Sequence, residues 1–141
     1  MEIVFILKHT TQGMTPMTTT FMNMTTLDAI QAFVAHVNKI SDEHYSQNYP
    51  TQSKPRFVAE PLSDKWVRIN RQELRDGVYK TVSVYCFVCL KNYVTKTLGT
   101  LMVGDLHKAA GFKVPAKHAR GSVLDESTWV NASPYGLAYL K

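Results

Sequence analysis

The chain has 141 residues, 45% of them hydrophobic, and 16 Lys and Arg against 11 Asp and Glu give a formal charge of +5. That length and apolar content suit one domain with a core of its own, needing neither disulfides nor a structural metal. The positive balance favours acidic surfaces or phosphate backbones as partners. The longest apolar runs, residues 3–7 and 84–90, are far short of a membrane span and follow no cleavable signal pattern, which predicts a cytoplasmic protein with no membrane partner.

In chain order, residues 2–8 are apolar at nearly every position and predict a short strand buried on both faces. Gly13 and Pro16 mark a turn, and residues 17–24 read as a second strand whose methionines fill core gaps. A helix is predicted over 27–41: Thr25 caps it, Asp28 completes a capping box, and Leu27, Ile30, Val34 and Val37 form one stripe, with His36 solvated on the opposite face. Residues 42–55, with Asn48, Pro50, Ser53 and Pro55, read as a polar loop. Strands follow at 56–60 and 65–71, the second alternating Trp66, Arg68 and Asn70 against Val67 and Ile69. Asp76-Gly77 turns the chain into a long strand over 78–91. A loop at 92–96 leads to 97–103, a return strand or the start of a helix. The tail 122–141 carries Trp129, Tyr135 and Tyr139, too aromatic for a free appendage, and is expected to pack back on the domain. There is no internal repeat. The reading is a single α+β domain: a mostly antiparallel sheet, 78–91 at its centre, with one main helix packed across it.

Catalytic and metal signals are weak. Cys86 and Cys89 form a C-x-x-C, but their β-branched and aromatic surroundings place them on a strand, where positions three apart face opposite sides and can neither close a disulfide nor share a metal. His9-Thr10-Thr11 and His44-Tyr45-Ser46 fit the H-x-[ST] element of two-histidine phosphoesterases, although the second does not sit in the apolar strand that rigid placement requires. Phosphate-cradling Gly-rich loops, nucleophile elbows and paired-carboxylate motifs are absent, and the spacing of Asp105, Asp125 and Glu126 argues for no chemistry. No cofactor is expected.

The most specific signal is residues 104–121, GDLHKAAGFKVPAKHARG. Lys108, Lys113, Lys117, His118 and Arg120 follow one another without a carboxylate, while Gly111, Pro115 and Gly121 make the backbone loop. Cations on a turn-rich segment reach phosphates; Arg120 offers a planar fork for two hydrogen bonds, and Gly121 lets the backbone come close. Phe112 is there to stack a base or to anchor the loop. Arg68, Arg71 and Arg75 are candidate helpers. A helix-turn-helix reading, with Gly111 in the turn, places Lys117 and Arg120 where the second helix needs apolar residues, so that helix lacks a buried stripe.

The tract from Gly104-Asp-Leu-His-Lys-Ala109 through Pro115-Ala-Lys-His-Ala-Arg-Gly121 to Pro134-Tyr-Gly-Leu-Ala-Tyr-Leu140 resembles the C-terminal part of small, uncharacterised proteins of tailed bacteriophages. The resemblance covers about a quarter of the chain. It implies a phage origin and a site of action in the cytoplasm of the infected bacterium, and brings no activity or catalytic residue with it. In that setting the first expectation is a non-catalytic accessory protein binding nucleic acid through Lys108, Lys113, Lys117, His118, Arg120 and Gly121. The alternatives are an inhibitor of a host enzyme or defence system using the same cations against an acidic patch, a virion component assembling through the aromatic tail, and a two-histidine phosphoesterase.

Overall fold

The computed structural model describes residues 25–137. The strands expected at 2–8 and 17–24, and His9, lie outside them. Within them, helix α1 (Thr26–Asn48) is followed by strands β1 (Arg56–Pro61), β2 (Trp66–Arg75), β3 (Val78–Cys89), β4 (Tyr93–Thr95), β5 (Gly99–Leu101), β6 (Asp105–Ala109) and β7 (Pro115–Ser122). A 3-10 helix, Glu126–Asn131, and the short pair β8 (Ala132–Ser133) and β9 (Gly136–Leu137) follow as the last described elements. Five strands form one antiparallel sheet in the order β1-β2-β3-β6-β7, so β3 is its middle strand. The α+β reading, with the long strand central and a helix packed on the sheet, is the observed architecture.

Helix α1 starts at the expected Thr25 cap, with the Thr25 half of the capping box formed. Thr25 Oγ1 accepts from the Asp28 amide at 3.0 Å, and Asp28 places negative charge at the positive end of the helix dipole. Its buried face is Ala29, Ile30, Phe33, Val37 and Ser41. Leu27, expected on that stripe, is 52% exposed because it precedes the point where the helix meets the sheet. The helix also continues to Asn48 instead of ending near Ser41. Residues 42–48 contain neither Gly nor Pro; their polarity marks a solvated helix face, and the helix stops just before Pro50, which cannot continue it.

The β2–β3 hairpin turns at Asp76 (φ 54°) and Gly77 (φ 79°), the paired positive values that a two-residue turn needs to match the strand twist. Farther along, the ladder passes from Ile69↔Cys86 to Asn70↔Val84 and leaves Tyr85 out of register. This bulge turns Tyr85 to the helix side, where its ring lies 5.2 Å from Phe57 and 6.4 Å from Phe33, and its hydroxyl donates to the Ser133 carbonyl at 2.6 Å. Strict alternation along β3 would have put it on the other face.

Phe57, Val67, Ile69, Cys86, Val88 and Leu106 share one core with the helix. The tail closes that core: Trp129 lies 5.6 Å from Phe33 and from His36, and Leu137 is buried. His36 is therefore half-buried beside Trp129, a contact that helical periodicity alone does not reveal. Residues 92–103 form the β4–β5 hairpin. Cys86 sits in the helix-side core and Cys89 outside it; both thiols are free and buried, and burial pushes both above the ordinary thiol range. Among the described residues no helix is long and apolar enough to cross a membrane.

Candidate nucleic-acid interface

The basic segment folds as the β6–β7 hairpin at one edge of the sheet, so the two helices of a helix-turn-helix are not formed. Its tip, residues 110–114, is closed by Ala110 N–H to the Val114 carbonyl at 2.8 Å and by Gly111 N–H to the same oxygen at 3.1 Å. The two strands are unequal. Pairing runs Ala109↔Pro115, His107↔Ala119 and Asp105↔Ser122, so seven residue steps on β7 face four on β6. The surplus is taken up in bulges, which coil β7 and break its alternation. Lys117, His118 and Ala119 are in consequence exposed one after another.

His107 holds the larger bulge in shape. It is buried, packs edge-on against Trp66 at 5.4 Å, and its Nδ1 lies 2.7 Å from the Ala116 carbonyl. A carbonyl only accepts, so Nδ1 carries the hydrogen and donates.

The tip is fixed from below by a polar cluster on the sheet face away from the helix. Arg68, only 7% exposed, donates through Nε to Asn70 Oδ1 at 2.7 Å, through one terminal nitrogen to the Phe112 carbonyl at 2.8 Å, and through the other to Glu60 Oε1 at 2.7 Å. Asn70 Nδ2 donates to the same Glu60 oxygen at 2.7 Å. Those bonds from Asn70 and Arg68 keep the Glu60 carboxyl below its ordinary range. The Arg68 guanidinium also lies 4.5 Å from the centre of the Phe112 ring. All three nitrogens of this buried cation thereby donate, the condition for a buried charge to be tolerated.

The six residues expected to bind divide by position. Lys113, at the tip, and Lys117 and His118, on the coiled part of β7, are exposed, beside Phe112 at 50% and Val114 at 55% exposure. Arg120 and Gly121 lie toward the base, and Lys108, near the tip end of β6, is half-buried. Lys108 Nζ donates to the Leu137 carbonyl at 2.8 Å and ties the tail to β6. Arg120 is half-buried. Gly121 has φ +143°, and a Cβ there would come within 2.9 Å of Thr128, so the close approach it permits is that of the 3-10 helix. The flanking carboxylates are also at the base: Asp105 Oδ2 accepts from the Met102 amide, and Asp125 caps the 3-10 helix through the Ser127 amide. Between Asp105 and Asp125 the chain has no acidic side chain.

The three arginines take separate roles. Arg68 belongs to the tip; Arg71 and Arg75 both bind Glu73, and Arg71 also donates to the Tyr45 hydroxyl, on the helix side. There the lengthened helix gathers an aromatic group that a loop over 42–55 would not form. His44 Nε2 is 2.8 Å from the Tyr135 hydroxyl, and its ring meets Tyr45, Tyr49 and Tyr135 edge-on at 5.3 to 5.8 Å. The i, i+4 spacing of Tyr45 and Tyr49 is the sequence signal for it. A cleft of about 170 Å³ adjoins this group, between Tyr45, Ser53, Pro55, Arg71 and Glu73. His44 and Ser46, two apart on a helix, point away from each other and make no two-histidine half-site. Among the described residues no three His, Cys, Asp or Glu side chains converge on a metal position.

Comparison with protein-family models, with curated proteins and with solved structures returned no match.

Proposed function

We propose that this protein is a non-catalytic accessory protein, phage-encoded and acting in the host cytoplasm, that binds nucleic acid through the β6–β7 hairpin. The observation that carries the reading is the tip itself: Lys113, Lys117 and His118 exposed beside Phe112, with no carboxylate in the hairpin beyond the engaged Asp105 at its base. A rigid cationic ribbon of this kind meets the requirements of phosphate contact, since the strand pairing and the Arg68 anchor settle the backbone before a ligand arrives. Lys113 and Lys117 supply the charge, and His118 supplies a donor between them. Arg120 stands at the margin of this surface.

The test is binding of a labelled oligonucleotide over a salt series. The wild type should lose affinity steeply with salt. Lys113→Ala with Lys117→Ala should make the slope of log affinity against log salt shallower, by about one unit for each phosphate that the variant no longer neutralises. Arg120→Ala should change it less. A double variant that is folded and keeps the wild-type affinity and slope would refute the reading.

A further inference from the structure

Resting on the nucleic-acid reading above, we infer that Phe112 is a preformed stacking platform and that the ligand is an unpaired nucleotide strand. An aromatic ring at a hairpin tip ordinarily turns inward or samples several rotamers. The Phe112 ring is instead seated on a buried support. Its carbonyl accepts from Arg68 at 2.8 Å and its ring rests on the Arg68 guanidinium at 4.5 Å, while half of the residue stays in solvent. One ring face is occupied by the cation, so the surface left open is the opposite face.

The support beneath is itself fixed, because Arg68 is buried and held by Asn70 and Glu60. Glu60, the carboxylate beneath the platform, is thus engaged by two donors, and its charge is matched by that of Arg68. Lys113, next to Phe112 in the chain, and Lys117, on β7, are exposed on the same hairpin.

A flat aromatic face on a hairpin that also exposes cations fits the ligand whose bases are free to leave their neighbours. Every base has a π-face, so stacking tolerates sequence, and the lysines track the backbone. Paired bases in a duplex present their edges instead, and a phenyl ring reaches them only by displacing a base from the stack. Single strands are therefore the better fit. Stacking also predicts little sequence preference.

The experiment compares a labelled single-stranded oligothymidine with a duplex, each of about 15 nucleotides per strand, on the full chain. Wild-type protein should prefer the single strand, and Phe112→Leu, which keeps an apolar side chain but removes the π-face, should weaken single-strand binding on the order of tenfold while leaving duplex binding nearly unchanged. Phe112→Trp should retain binding, and its added fluorescence should be quenched by the single strand. Thermal unfolding of each variant confirms the fold. Equal affinity for both probes, or a Leu variant that binds the single strand as tightly as wild type, would overturn the stacking platform and leave the cationic surface standing. Failure of the wild type to bind either probe at low salt would overturn the nucleic-acid reading itself, and the platform with it.

Discussion

The two faces of the sheet are buried by different means. Toward the helix, Phe57, Val67, Ile69 and Val88 meet Ile30, Phe33 and Val37 in an apolar layer that the tail closes with Trp129 and Leu137. On the far face Phe87 and Cys89 are equally buried, but their neighbours are Arg68 and His107, which bond to Phe112 and Ala116 in the basic hairpin, and Asn70, which braces Arg68. The first face supplies stability through area removed from water. The second spends buried surface on fixing the shape of one segment. A fold that needed only to be stable would be expected to place apolar residues at 68, 70 and 107, where no solvent is gained by polarity. This contrast is the main physical reason to look for function at the β6–β7 tip.

The sharpest way to separate the two faces is to damage each in turn. Phe33→Ala removes a fully buried ring contacting Tyr85 and Trp129, and should cost about 3–5 kcal/mol in urea unfolding. Arg68→Ala should cost less, about 1–3 kcal/mol, because Glu60 is half-exposed and recovers water, while Asn70 and the Phe112 carbonyl are left without their donor. Its distinguishing effect is local: amide exchange at Gly111 and Val114 should speed up more than exchange in the helix. Uniform acceleration throughout the chain would mean that the far face is an ordinary part of the core.

Acid titration probes the far face more gently. Glu60 is held below its ordinary value of 4.5 by its bonds to Asn70 and Arg68. A carboxyl with a depressed folded value contributes stability that is fully present above the unfolded value and is lost as pH falls through the folded one. Wild-type stability should therefore drop more between about pH 5 and pH 3 than that of Glu60→Gln. Parallel curves would mean that the Glu60 contacts are not maintained in solution.

Legibility in the sequence followed the same division. The α+β architecture, the central long strand, the Asp76-Gly77 turn and the Thr25 cap were all readable, because period-two alternation, turn chemistry and capping act over a few residues. The extra helical turns to Asn48 were not, since polar helix and polar loop share a composition. The helix-side position of Tyr85 was not either, since alternation along a strand cannot see a bulge. The cations at 108–120 stood out as a segment, but their division into exposed and packed side chains depends on contacts with Leu137 and Thr128, far along the chain or on another element. Arg68 and Phe112, 44 positions apart, are joined by the fold alone.

The smallest expected effect on stability belongs to the tip cations. Replacing Lys113, Lys117 and His118 together with Ala should shift unfolding by no more than about 0.5 kcal/mol, because exposed charges contribute little to folding. A larger loss would show that the tip is a structural element and not a presented surface.

The most direct test of where the ligand sits is a titration of single-stranded oligonucleotide into isotopically labelled protein, followed by amide chemical shifts. Binding at the hairpin should give saturable shifts concentrated at residues 111–118 and on the β2 residues beneath them around Arg68, with the helix-side cluster of Tyr45, Tyr49 and Tyr135 unmoved. Shifts centred on that tyrosine cluster, or none at the hairpin under conditions where binding is observed, would contradict binding at the β6–β7 tip.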